Sequence, residues 1–331
     1  MTKRNTIRPV LYLAVPLLLA LFCLAAGRYP IPVSKVFSIL LQGDNSEPMM
    51  RSTIISIRLP RIILAILVGG GLSVSGLAFQ SLFSNPLATP DTLGVASGAS
   101  LGAILSLIWG LSFASMQVIS LLFGLLAIAV TYLVSRKDGK RNMVDVILSG
   151  IIVGSLFNSF VSLSKFIANP ETQLPAITYW LMGSLSSANW TSLSIGAGPI
   201  IFGCVLLYLI RWRLNILPLS DDEAQASGTN VRFLRTLTLF SATLITASAV
   251  SMSGQVGWVG LLVPHIARMM LGEDKAKLVP ATLSFGACFL LIVDTLARSV
   301  TASELPISIL TSSIGAPFFI SLIRKRGGRS L

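Results

Sequence analysis

Apolar residues in this chain gather into long runs separated by short polar breaks. From the N-terminus the runs fall at about 9–27, 60–83, 93–111, 114–135, 143–168, 191–210, 233–251, 256–271, 278–298 and 307–323. Most approach the roughly 20 apolar residues that a helix needs to cross the hydrocarbon core of a bilayer. Ten runs predict ten transmembrane helices, an all-α polytopic membrane helix bundle, with the eighth run short. The 331 residues then form one transmembrane domain, 1–331, rather than the two soluble domains that length alone would give. Lys3, Arg4 and Arg8 precede the first run, as basic residues precede the apolar core of a signal peptide. That run is long for a signal peptide and no small-residue cleavage site follows it, so a retained helix is expected.

Composition agrees with the pattern. Hydrophobic residues make up 53% of the chain and charged ones 11%, and the mean hydropathy is +0.80. A soluble domain carries about 25% charged residues to wet its surface, so an ordinary soluble enzyme is excluded. The net charge of +12 does not form a nucleic-acid face, because the basic residues sit in small clusters between apolar runs. Those clusters orient the chain instead. With the N-terminus cytoplasmic, the inner side receives Lys3, Arg4 and Arg8; Arg136, Lys137, Lys140 and Arg141; Arg211, Arg213, Arg232 and Arg235; Arg268, Lys275 and Lys277; and Arg324, Lys325, Arg326 and Arg329. That is 18 of the 25 Lys and Arg residues, the bias of the positive-inside rule. Ten spans with both termini cytoplasmic satisfy it.

The chemistry of an enzyme is absent. The only Gly-Lys pair, Gly139-Lys140, has Val134 where a phosphate-binding loop needs its first glycine. His265 is the single histidine, and Cys23, Cys204 and Cys288 lie far apart in apolar runs, so neither a metal site nor a disulfide framework is expected. No cofactor is implied. Asp145 and Asp294 are the carboxylates inside the runs, both near run ends, and Arg298 follows Asp294 at the helical ion-pair spacing of four. An ion- or proton-coupled secondary transporter is the alternative reading, and it usually places an ionisable group near the membrane midplane. A pore driven by another subunit fits this pattern better. Gly98 with Gly102, and Gly150 with Gly154, have the spacing that lets helices approach closely in lipid.

Four segments depart from generic membrane sequence: Ile57-Arg58-Leu59-Pro60-Arg61; Asn85 to Ala99, with Pro86, Pro90, Gly94 and Gly98; Val256 to Arg268, with Trp258, Pro264 and His265; and Glu304-Leu305-Pro306-Ile307 followed by Gly315-Ala316-Pro317-Phe318. In this order and spacing they closely resemble FecCD-type permease subunits of ABC importers for iron chelates, haem and cobalamin. The resemblance covers nearly the whole chain. It implies a bacterial cytoplasmic-membrane permease with ten helices, paired with a second copy or a homologue. It also implies two cytoplasmic ABC ATPase subunits, which hydrolyse the ATP, and an extracytoplasmic substrate-binding protein. A ferric siderophore or a related chelate is the expected cargo.

Individual residues keep two readings each. Arg58 and Arg61 stand on the side where positive charge is scarce, either as headgroup anchors or as docking points for carboxylates. The resemblance implies docking of the binding protein at Arg58, Arg61 and Arg298. The long connection at 211–232 carries Ser220, Asp221, Asp222, Glu223 and Ala224, an N-cap with acids in the first turn, and Gly228, a residue suited to ending a helix. A short helix there is either a solvated loop element or, as the family implies, the coupling element that meets the ATPase. In the fifth run, Asn158, Ser159 and Ser162 either bond neighbouring helices or line a path. The family implies the path, and an apolar inner gate at Met143 and Val144. Asn85 and the two prolines after it, Pro86 and Pro90, break the chain at the inner membrane surface and are read as a tight re-entry between the second and third spans, and His265 as a buried hydrogen-bonding residue.

Overall fold

The computed structural model describes residues 3–43, 47–135, 143–219, 221–226, 228–301 and 303–327; side chains at 3–10, 143, 221, 222, 225, 323 and 325–327 are outside that description. Arg136, Lys137, Lys140, Arg141, Ser220 and Arg329 also fall outside it. Among the described residues all regular structure is helical. The elements are α1 (Lys3–Ala25), α2 (Val33–Gln42), α3 (Pro48–Ser52), α4 (Leu59–Leu82), α5 (Val95–Ile108), α6 (Phe113–Val134), α7 (Met143–Ile167), α8 (Gln173–Leu181), α9 (Trp190–Leu209), α10 (Asp221–Ala226), α11 (Val231–Ser253), α12 (Val259–Leu271), α13 (Lys275–Ser299) and α14 (Ile307–Gly327).

Each of the ten apolar runs has its helix. Six helical stretches are long and apolar enough to cross a membrane: Pro48–Leu82, Phe113–Val134, Val144–Ile167, Trp190–Leu209, Val231–Ser253 and Lys275–Ser299. The third run gives a shorter helix than expected, and the eighth is short as expected. α5 and α12 have 14 and 13 residues, about 20 Å each at 1.5 Å per residue, which is short of the roughly 30 Å core. Non-helical backbone precedes each of them, at 83–94 and 254–258 apart from a 3₁₀ turn at Pro90–Leu93. The short α2, α3 and α8, of ten, five and nine residues, were not expected from the hydropathy pattern, because each is at most half the length of a span.

α4 is the axis of the bundle. Nearly every residue from Pro60 to Leu82 is buried, against α13, α11, α12, α9 and α1. Its small residues let backbones approach: a side chain at Gly76 would collide with the backbone of Gly260 in α12. Gly98 and Gly102 do the same for α5 against α6, where added Cβ atoms would sit 2.6 and 2.7 Å from the carbonyl oxygens of Phe123 and Ile119. Without a hydrophobic drive between helices in lipid, such close packing supplies the association. A six-residue π-helix, Thr53–Arg58, continues directly into α4. Such irregular turns change the angle at which side chains leave a helix and recur at functional sites.

Candidate functional site

The start of α4 and the end of α13 meet at one end of the bundle. Their antiparallel packing brings Arg61 to Asp294, 233 positions away in sequence. Arg61 Nε donates to Asp294 Oδ1 and Oδ2 at 2.9 and 3.0 Å, and Nη2 lies 2.8 Å from Oδ1. Nη1 donates to Glu304 Oε1 at 2.8 Å. The expected pairing of Asp294 with Arg298 is present at a looser 3.8 Å; Arg61 holds the carboxylate in the better geometry, by the bidentate fork that favours guanidinium–carboxylate pairs. Arg298 also donates from Nη2 to the Cys23 carbonyl, and Arg58 donates to the carbonyls of Leu24, Ala25 and Tyr29. All three guanidinium groups are thus buried and engaged within the chain. Gly27, at φ +146°, lies between Arg58 and Arg298, where a Cβ would come within 3.0 Å of both groups. Three cations face two carboxylates, so the cluster keeps a net positive charge.

The 211–232 connection lies at the opposite end. A 3₁₀ turn, Arg213–Ile216, places Asn215 where it donates to Asp274 Oδ1 at 3.2 Å and accepts from Lys275 N at 2.9 Å. Asp274 also caps α13, accepting from Ala276 N at 3.0 Å. Burial alone would raise the Asp274 carboxyl, but hydrogen bonds from Lys277, Asn215 and the Ala276 N–H outweigh it and hold it below the ordinary carboxylate range. Asp274 and Asp294 stand about 30 Å apart along α13 at 1.5 Å per residue. One helix, α13, with Pro280 in its interior, therefore joins the arginine cluster to the connection.

Within that connection, the helix expected after Ser220 is α10, Asp221–Ala226. Ser220 itself is outside the described residues. Ala224 is buried while Glu223 and Ala226 are exposed, so α10 has a buried face and an exposed one. Gly228 has φ +71°, the left-handed conformation expected of a residue that ends a helix.

Val144 is exposed in the first turn of α7, and Met143 opens that helix. Asn158, Ser159 and Ser162 are all exposed on α7. Ser159 and Ser162 donate back to the carbonyls of Ser155 and Asn158 at 3.0 Å. Their hydroxyls are satisfied by their own helix, so no neighbouring helix is needed to explain them. His265 is buried against the rings of Phe318 and Phe319, with centroids 6.2 and 5.5 Å away, and no cluster of His, Cys, Asp and Glu able to hold a metal occurs among the described residues.

The segment after α4 turns where Ser84 to Leu87 are exposed and then re-enters the bundle, as expected. Gly94, at φ +73°, packs on Gly154, and a Cβ at Gly150 would lie 2.5 Å from the Thr92 carbonyl oxygen. Gly150 is about 10 Å into α7 at the helical rise. The chain therefore climbs back into the bundle before α5 starts, and it carries Asp91 with it. Counting carboxylates inside apolar runs missed Asp91, which precedes the third run by two residues. The signal was present in the two prolines and the glycine, which forbid the chain from continuing as helix where it re-enters. Trp258, which opens α12, is the second departure: at φ +69° it occupies a left-handed conformation that costs a residue with a side chain about 1–3 kcal/mol. Its ring packs on Phe319 at 6.0 Å and against Gly315 of α14.

Known proteins similar to this chain are ABC permeases. The FecCD transport family matches residues 15–325. The chain belongs to this family. It is 40% identical over 314 residues to the molybdate import system permease protein MolB of Haemophilus influenzae, covering 93% of each chain. It is 36% identical to the hemin transport system permease protein HmuU of Yersinia pestis, covering 95% of this chain and 96% of that one. A solved inward-facing ABC transporter of metal-chelate type superposes with a TM-score of 0.87 at 37% identity, over 96% of this chain and 98% of the other. The protein is a permease subunit of an ABC importer, a multi-pass protein of the bacterial cytoplasmic membrane.

Proposed function

We propose that this FecCD-family permease imports a metal chelate, of ferric siderophore type or closely related, by alternating access. The observation that carries the reading is the joining of two specialised ends by α13: a buried, net-positive arginine cluster at one end and the α10 connection at the other. In this reading ten helices span the membrane with both termini cytoplasmic, and α5 and α12 complete their crossings with the coil that precedes them. An extracytoplasmic binding protein docks at Arg58, Arg61 and Arg298, where its carboxylates compete with Glu304, the more exposed of the two internal partners. Two cytoplasmic ATPase subunits receive α10, and their closure on ATP moves the bundle. The path runs between this chain and a second permease copy or homologue, beside Asn158, Ser159 and Ser162, and closes at Met143 and Val144.

The test is uptake of an iron-labelled ferric hydroxamate into vesicles holding permease, ATPase and loaded binding protein. Uptake that needs ATP and both partners supports the reading. Uptake by the permease alone, driven by an ion gradient, overturns it.

A further inference from the structure

α1 and α9 stand on either side of a groove of about 480 Å³ that α4 and α13 complete. α1 packs chiefly on α13, and α9 on α11 and α4. One wall carries Leu17 of α1 and the other Ile201 of α9, both exposed, so the groove opens on the outside of the bundle. Its inner surface includes Gly70 and Gly71 of α4, where no side chain fills the space.

The depth of the groove separates its possible occupants. Along α13 the lining runs from Pro280 to Ala287, about 8 to 18 Å from that helix's start at the helical rise. Gly70 and Gly71 are the middle residues of α4. The groove therefore begins near one face of the membrane and stops at the midplane, about 15 Å into a core of roughly 30 Å. A partner helix, or a helix of a second copy, would need a groove running the full thickness. An acyl chain of one leaflet needs half. The face proposed to meet the second permease copy belongs to α7, which packs on α5 and α6 rather than on these four helices.

The end of the groove nearest the membrane surface is polar and basic. Tyr12 of α1 and Tyr208 of α9 line it, and neither hydroxyl has a hydrogen-bond partner among the described residues. The guanidinium of Arg211 lies 3.9 Å from the centroid of the Tyr208 ring and 3.4 Å from that of exposed Trp212. It donates to the Tyr208 carbonyl at 2.7 Å, which leaves most of its five N–H groups unspent. Arg213, two residues on, is exposed. The nearby carboxylates are already taken: Asp274 pairs with Lys277 at 3.1 Å and Glu273 with Lys275 at 3.0 Å. No carboxylate among the described residues pairs with Arg211 or Arg213. Tyrosine, tryptophan and arginine together mark the membrane–water interface, and basic pockets between membrane helices hold anionic headgroups.

We infer that the groove between α1 and α9 binds an anionic phospholipid, with one acyl chain running in to Gly70 and Gly71 and the phosphate held at Tyr12, Tyr208 and Arg211. A guanidinium meets phosphate by two parallel N–H donors. The chain is as apolar in the bilayer as in the groove, so the groove fixes the place and the headgroup supplies the selection. Assignment to the cytoplasmic leaflet rests on the orientation proposed above; the site itself stands on the groove and its arginines.

The test is native mass spectrometry of the full chain in detergent, with phosphatidylglycerol or phosphatidylcholine of identical chains. Wild type is expected to hold one phosphatidylglycerol about tenfold more tightly than phosphatidylcholine, and Arg211→Gln with Arg213→Gln to lose that preference. Equal retention of the two lipids by wild type, or a preference that survives the double substitution, overturns the site. Its location is read on the unsubstituted chain in nanodiscs, from phosphatidylglycerol carrying a photoreactive group on one acyl chain. Crosslinks concentrated on α1 and α9 support the site, and crosslinks spread equally over α6 and α7 overturn it. The leaflet is tested with Arg213→Cys in a chain whose Cys23, Cys204 and Cys288 are replaced by alanine. In right-side-out vesicles an impermeant thiol reagent is expected to label it only after permeabilisation. Labelling of intact vesicles overturns the orientation and leaves the lipid site standing in the other leaflet.

Discussion

Arg61 is held by two carboxylates of unequal burial: Asp294 is 2% exposed, whereas the Glu304 side chain is 29% exposed. Removing one partner of a buried pair strands the other charge, which costs about 3–5 kcal/mol, whereas a partly solvated pair contributes about 1 kcal/mol or less. Asp294→Asn is therefore expected to lower stability by about 3 kcal/mol and Glu304→Gln by about 1 kcal/mol, read from thermal unfolding in detergent; equal losses would refute the ranking. The same asymmetry bears on docking. Glu304→Gln frees one face of Arg61 for an external carboxylate, so capture of the binding protein should tighten about tenfold and weaken with added salt, measured by surface binding at two ionic strengths. Arg61→Glu, by contrast, would set a third carboxylate against Asp294 and Glu304, so its loss of docking could not be separated from loss of the fold.

At the scale of elements, α10 is the piece that transmits force in the proposed importer. Its Ala224 is buried, and Glu223 and Ala226 are exposed. Proline at Ala224 removes a backbone donor and costs a helix about 3 kcal/mol. Normal membrane insertion, retained docking and reduced uptake are expected in Ala224→Pro, with ATP hydrolysis no longer stimulated by loaded binding protein. If both rates match wild type, α10 does not couple. The capped start of α13, with Asp274 bound by Asn215, Lys277 and Ala276, gives the push a helix to act on.

Across the whole molecule, the fixed arginine end and the α10 end bracket a bundle whose interior is interrupted at mid-depth by two coil segments. A pore through such a bundle is closed by excluding water at an apolar constriction. Met143→Ser with Val144→Ser at the start of α7 should let the resting transporter leak a small fluorescent solute from vesicles lacking ATP. Vesicles as tight as wild type would move the gate to another place. Asp91 lies too deep to take part in that closure, since Gly150, against which its segment packs, is already about 10 Å into α7.

Hydropathy alone located a helix for each of the ten apolar runs, though not the apolar α2, because a run of apolar residues needs only its own backbone hydrogen bonds to be satisfied in lipid. The ordered motifs brought the family into view, and an acidic stretch followed by Gly228 marked α10 for a purely local reason, capping and the left-handed turn. Spacing found the local partner of Asp294, Arg298, but its closer partner, Arg61, comes only from the antiparallel approach of α4 to α13. The depth of Asp91 was likewise decided only in three dimensions. Its proline-rich segment reads in sequence as a re-entry between the second and third spans, but the sequence does not say how far in it goes. What carries it inward is the packing of Gly94 on Gly150 and Gly154, and a segment's hydropathy holds no record of the neighbours that shield it.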